Sequence, residues 1–176
     1  MLAYNQFFTL SAAAVQAAQE RGELCIDLGG RFNCPAGFKS VDLKCANFCA
    51  DLNGPYPFSD ASVGIVRACD FLEHIADKMH SIREIHRILR PGGFFIGMTP
   101  STVGPDGLAG MGSDQDPTHV SYWNRNSFWY VTDPDKMRYI DNTQVRFEPI
   151  VLDTCYPSNW HLENRIPYVI AYLKKI

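Results

Sequence analysis

The sequence predicts an α/β fold built on an open, mainly parallel sheet. Two observations carry this. Three apolar runs, Leu24–Leu28, Ser62–Cys69 and Phe94–Met98, have strand composition, and each leads into a turn or an acid. Near-continuous apolar strands of this kind are buried on both faces, as in parallel sheets covered by helices. Between the second and third runs, Met79, Ile82, Ile85, His86 and Leu89 recur at helical spacing, giving a strand–helix–strand unit.

Composition bounds the rest. A length of 176 residues suits one domain, 1–176, and 46% hydrophobic content supplies a core for it. The net charge of −3 leaves no nucleic-acid footprint, and Arg83, Arg87 and Arg90 read as a solvated helix face. The six cysteines form no Cys-x-x-Cys pair and no zinc spacing, so no metal is expected and the thiols read as reduced, in a cytoplasmic protein. Neither a signal peptide nor a membrane-spanning run is recognisable.

In chain order, Met1–Phe8 reads as a loose lead-in. Thr9 or Ser11 then caps a helix over Ala12–Arg21, which Gly22 stops. After the first strand, Pro35 and Gly37 break the link to a short second strand at Lys39–Leu43, leaving a loop or one helical turn. Asp51-Leu52-Asn53-Gly54 is a turn, Asp77 caps the amphipathic helix, and Pro91-Gly92-Gly93 ends it. Ser101–His119 holds Gly104, Gly107, Gly110 and Gly112 without periodicity and reads as a mobile lid over the ligand edge, within a lid and acceptor loop of about 101–125. Asn126 caps a helix over Ser127–Val131. Val145–Tyr156 and Ile166–Leu173 form a late antiparallel pair.

The chemistry-bearing residues fall at strand ends: Asp27 with Gly29-Gly30, Asp42, Asp51-Leu52, Cys69-Asp70, and the lid. In an open parallel sheet these ends share one edge, where ligands bind. A carboxylate after the second strand suits a ribose diol. No phosphate-cradling Gly-x-x-x-x-Gly-Lys and no full Gly-x-Gly-x-x-Gly occurs, which points to a ligand with a ribose and no phosphate.

Several blocks resemble one family, the class I S-adenosylmethionine-dependent methyltransferases of the "methyltransferase type 11" group, in particular small bacterial and phage members. They are Ile26-Asp27-Leu28-Gly29-Gly30, Gly37–Leu43, Asp51-Leu52-Asn53, Pro57–Val63, Phe71-Leu72-Glu73-His74, Glu84–Gly93 and Asp116-Pro117-Thr118-His119. The resemblance covers roughly residues 24 to 130. It implies a Rossmann-like sheet of up to seven strands with the last antiparallel, and S-adenosyl-L-methionine as cofactor, leaving S-adenosyl-L-homocysteine. It further implies that Asp27, Gly29 and Gly30 line the methionine end and that Asp42 holds the ribose, with Leu43 against the adenine. Asp51 and Leu52 would contact the adenine, and Cys69 and Asp70 would flank the donor methyl. The chain departs from the family in having Arg31-Phe32-Asn33 after the glycine pair and no good helix before the second strand.

The function so implied is methyl transfer to an unidentified acceptor, small molecules included. The sulfonium methyl is already activated, so a base is needed only if the acceptor must lose a proton. His119 and His74 are the candidates. A non-catalytic cofactor-binding or partner-docking domain and an NAD-dependent oxidoreductase are the alternative readings.

Overall fold

Leu24 to Leu28 cannot satisfy its apolar side chains as a loop, and in the computed structural model it becomes β1 (Cys25–Leu28), buried along its whole length. The structure describes every residue except Met1, Asp141 and Thr143. β1 lies between β2 (Lys39–Asp42) and β4 (Val63–Cys69), parallel to both, and β3 (Phe48–Cys49) pairs outside β2. β5 (Leu89–Pro100) runs parallel to β4. β7 (Tyr168–Lys175) inserts antiparallel between β5 and β6 (Phe147–Cys155), giving the order β3-β2-β1-β4-β5-β7-β6. The expected mainly parallel sheet with an antiparallel pair is present, and the three central runs are adjacent and parallel.

Side-chain alternation sends each strand into two cores. α1 (Leu2–Glu20) covers one face, burying Phe7 and Ala18 against Cys25, Ile65 and Ile170. α2 (Lys78–Ile88) covers the other, burying Ile82, Ile85 and Ile88 with Trp123, Phe128 and Phe147. Each isoleucine contributes about 1.5–3 kcal/mol by burial. Together they outweigh the cap, where Asp77 Oδ1 accepts from the His80 N–H at 2.9 Å for about 1 kcal/mol.

Four local expectations are corrected. Helix α1 starts at Leu2, so the lead-in is helical; Phe7 anchors it, and Ser11 donates back to Phe7 O instead of capping. Pro91-Gly92-Gly93 does not separate helix from strand: α2 stops at Ile88, and Leu89 already pairs with Val63, with a register shift before Phe94 meets Ile65. The cap expected at Asn126 is instead Asn124, which forms a reciprocal capping box with Ser127 at the start of a 3-10 turn, Arg125–Phe128. That turn continues into α3 (Trp129–Thr132) and α4 (Pro134–Met137). Of the basic helix face, Arg87 and Arg90 are tied into ion pairs with Glu84, Asp60 and Glu23.

The link from β1 to β2 holds turns and no helix, as its proline and glycine imply. The lid divides. Its first half is sewn to the segment before β7, through Ser101 N to Pro167 O and Met111 N to Arg165 O, both 2.8 Å. Its second half runs back to the segment after β4, where Val120 N and Ser121 N donate to Glu73 O at 2.9 and 3.0 Å. A short helix, α5 (Asn159–Glu163), precedes β7.

Candidate functional site

The parallel strands β1 to β4 end along one edge, and the segments leaving β1, β2, β3 and β4 enclose a cavity of about 320 Å³. It is lined by Gly29, Asp42, Leu43, Ala50, Asp51, Leu52, Asn53, Asp70, Phe71, His74 and Ile75. Of the residues singled out in the sequence, Gly29, Asp42, Leu43, Asp51, Leu52, Asp70 and His74 therefore come together. Asp27, Gly30, Cys69 and His119 stand outside the lining. Ala50 and Ile75 carry no signal in the sequence and are found only through the fold, while Asn53 and Phe71 lie in the resembling blocks without a role assigned to them.

Gly29 has φ +72°, and its N–H donates to Val41 O at 2.8 Å, tying the turn after β1 to β2. A Cβ there would stand 2.9 Å from Phe71 Cδ2, so this corner has room for backbone only. At Gly30 a Cβ would run into the Asp27 carboxylate. Asp27 itself is fully buried beneath the turn and pairs with Arg67 Nη1 at 2.6 Å. Its Oδ2 has no partner among the described residues. Burial pushes this carboxyl up, and the Arg67 charge opposes the shift. Asp27 thus supports the glycine turn from below.

Asp42 closes β2, and Leu43 beyond it is 63% exposed, an apolar face open to a ligand. Asp51 accepts from the Asn53 backbone N–H at 2.9 Å and its amide at 3.1 Å, which holds the carboxyl below its ordinary range. Asp70 sits at φ +50°, a strained conformation that asparagine and aspartate tolerate best, at the exit from β4. Its backbone N–H donates to Met98 O at 2.9 Å, and its Oδ1 accepts from the Tyr168 hydroxyl at 2.8 Å. Burial, with Asp70 beside it, drives the Tyr168 hydroxyl upward, so it remains a donor. The Cys69 thiol is pushed up to about 12 by burial and is not a thiolate at neutral pH.

Behind the His74 wall of the cavity lie further polar groups. In the 3-10 turn Leu72–His74, Glu73 is 2% exposed and accepts from Thr99 Oγ1 at 2.6 Å through Oε2. Glu73 Oε1 has no hydrogen-bond partner among the described residues; His119 Nε2 stands 3.9 Å away. Burial pushes the Glu73 carboxyl up. The His74 and His119 rings meet edge to face at 5.0 Å. The two histidines, separate candidates in the sequence, are thus neighbours, and Glu73, to which the sequence assigns no role, joins them.

Comparison with known proteins fits this geometry. A family model described as a methyltransferase domain matches residues 9–97. A Mycolicibacterium smegmatis protein named a probable S-adenosylmethionine-dependent methyltransferase is 37% identical over 68 residues, covering 39% of this chain and 24% of that protein. The malonyl-[acyl-carrier protein] O-methyltransferase 1 of Coxiella burnetii is 33% identical over 98 residues, covering 56% of this chain and 31% of that one. The chain therefore spans about a quarter to a third of the length of these relatives. The geranyl diphosphate C-methyltransferase of Streptomyces coelicolor, solved with Mg2+, geranyl-S-thiolodiphosphate and S-adenosyl-L-homocysteine, superposes with a TM-score of 0.59. The match covers 96% of this chain and 77% of that one at 13% identity, a likeness of fold. With the family model spanning half the chain and the strand order in place, the protein belongs to the methyltransferase-domain family, the S-adenosylmethionine-dependent methyltransferases of class I fold.

Proposed function

We propose that this chain binds S-adenosylmethionine in the cavity at the carboxyl edge and transfers its methyl group to an acceptor entering beside His74. The supporting observation is the convergence of Gly29, Asp42 and Asp51-Leu52 from successive strand ends on one cavity of about 320 Å³, within the size range of small-ligand sites. The donor set fits the cofactor. Asp42 offers a carboxylate to two ribose hydroxyls, Leu43 and Leu52 offer apolar contact to the adenine, and the Gly29 corner admits the methionine chain. Asp27 and Gly30 hold that corner in shape. Bound there, S-adenosylmethionine would supply a sulfonium-activated methyl group.

The chain's own part is positioning and proton handling. Asp70 and Phe71 border the donor end. His74, on the cavity wall, and His119 behind it are the groups placed to take a proton at Nε2 from an acceptor that must lose one. The second half of the lid, Ser113–Ser121, closes the acceptor side and shields it from water. Among the described residues no helix is long and apolar enough to cross a membrane.

Calorimetry with S-adenosylhomocysteine tests the reading. Asp42→Ala is expected to weaken binding by about 1.5–3 kcal/mol, roughly tenfold or more, while circular dichroism stays unchanged. A folded variant that binds like the wild type overturns Asp42 as the ribose ligand. Tight binding of NAD in place of S-adenosylhomocysteine overturns the cofactor. Cofactor binding without transfer of a labelled methyl group to any acceptor class would favour the non-catalytic reading.

A further inference from the structure

We propose that Glu73, His74 and His119 form a binding site for a divalent transition-metal ion of the zinc class. Each residue offers one ligand atom, and these atoms all lie within 4.8 Å of one another. Two imidazoles and a carboxylate are a ligand set that suits such an ion and leaves at least one position open.

Three independent features point to an ion. Glu73 is 2% exposed and its Oε1 has no hydrogen-bond donor among the described residues, an arrangement that is costly for a buried carboxylate lacking a cation. His119 is oriented as a ligand, with Nε2 toward Glu73, and His74 beside it is held by the same kind of contact. His119 Nδ1 lies 2.9 Å from Ser113 O and His74 Nδ1 lies 3.2 Å from Thr118 O. A carbonyl only accepts, so in both rings Nδ1 carries the proton and Nε2 keeps its lone pair free. Backbone carbonyls holding the remote nitrogen in this way are the usual outer support of metal-ligating histidines. The third feature is a distance. His119 Nε2 and Glu73 Oε1 are 3.9 Å apart, too far for a hydrogen bond. Two ligands sharing a tetrahedral ion with bonds of about 2.0–2.1 Å stand about 3.3 Å apart, so an ion closes the gap with a small inward movement.

The support is rigid. Thr99 fixes Glu73 Oε2 at 2.6 Å, and the Glu73 carbonyl takes the Val120 and Ser121 N–H groups, so the two chain segments supplying the ligands are already joined. The sequence conceals the site because Glu73-His74 and His119 come from different segments, and no Cys/His spacing marks it. His74 also lines the cavity, so an ion held there would adjoin the acceptor side. That placement rests on the cavity being the cofactor site; metal binding does not. Ligation uses the same Nε2 lone pairs as a proton-accepting histidine, so the ion and the imidazole base are alternatives.

The test uses the EDTA-stripped, dialysed full chain and Co2+ as a spectroscopic probe. One equivalent of Co2+ is expected to give visible d–d absorption without a thiolate charge-transfer band, and Zn2+ is expected to displace it. Glu73→Gln and His119→Gln, each checked by circular dichroism and thermal melting in EDTA, should weaken Zn2+ binding by about 100-fold or more. Absence of Co2+ absorption overturns the proposal. So does binding that survives in the folded ligand variants and disappears in Cys45→Ser/Cys49→Ser, which would place the ion on the exposed thiols. S-adenosylhomocysteine calorimetry runs in parallel. Metal binding without it sinks the cavity reading and leaves the metal site standing, and the reverse result does the opposite.

Discussion

The acids at the two rims of the sheet are treated in opposite ways. Toward the amino rim, Glu23 accepts from Arg21 at 2.8 Å and Arg90 at 3.0 Å, and Glu84 accepts from Arg87 at 2.8 and 2.7 Å and from the Tyr56 N–H at 2.7 Å. Both carboxyls are held below their ordinary range, chiefly by these side-chain hydrogen bonds. Toward the carboxyl rim, Asp27 and Glu73 are buried, each keeps an oxygen without a partner among the described residues, and burial pushes both carboxyls up. Among these four, the saturated acids build the scaffold and the under-satisfied ones are buried toward the ligand edge, where exposed Asp51 is satisfied by Asn53. Hydrogen-bond saturation separates the two groups where sequence composition does not.

The largest break in this contrast should come from Arg87→Ala. Arg87 also donates to Asp60 at 2.8 Å and to the carbonyls of Phe58 and Tyr56 at 2.8 and 3.1 Å, so its loss frees the loop before β4 and strands Glu84. A destabilisation of about 2–4 kcal/mol in urea unfolding at pH 7 is expected. Glu84→Gln should cost about 1–2 kcal/mol, the charge-assisted part alone. It should also flatten the acid limb of stability. A depressed folded-state value means that the Glu84 contribution is present above its ordinary 4.5 and fades as pH falls through the folded-state value. Urea melts between pH 3 and 7 read both effects.

Asp77→Ala should cost about 1 kcal/mol, because it removes the cap of α2, an acid near the site that is nonetheless satisfied. S-adenosylhomocysteine affinity should not move. The smallest effect is expected at Glu73→Gln, within about 0.5 kcal/mol when measured in EDTA, since the amide keeps the Thr99 contact and removes a buried charge. Here the sign reverses. With the folded-state value raised, the Glu73 contribution is present below its ordinary 4.5 and lost as pH rises through the folded-state value. A large loss at Glu73→Gln, or none at Glu84→Gln, would collapse the distinction.

The sequence reveals the parts of the fold that depend on apolar continuity. β1, β4 and the centre of β5 are runs buried on both faces, and α2 carries a clear helical period. β3, with two exposed residues, owes its pairing to β2 and has no run of its own. The start of α1 is hidden because Asn5 and Gln6 dilute the pattern, while buried Phe7, with Ala3, Tyr4 and Leu10 packed on the same core, holds the first turns. At the site, Asp42, Asp51 and Asp70 are legible because strand ends converge by topology. The Asp27–Arg67 pair and the meeting of Glu73 with His119 depend on register and on the path of an aperiodic loop, which no local pattern encodes.

The insertion of β7 between β5 and β6 has a consequence for synthesis. Chain growth delivers β5 long before its antiparallel neighbour, and β6 emerges with no strand to accept it, because it pairs with β7 alone. From Pro100 until Tyr168 leaves the ribosome, the nascent sheet therefore displays the open side of β5, with Phe95 and Ile96 on a bare hydrogen-bonding edge. A translational pause within that interval would prolong the exposure of a strand that can recruit another chain. A faster passage through it would let one late strand close two edges at once.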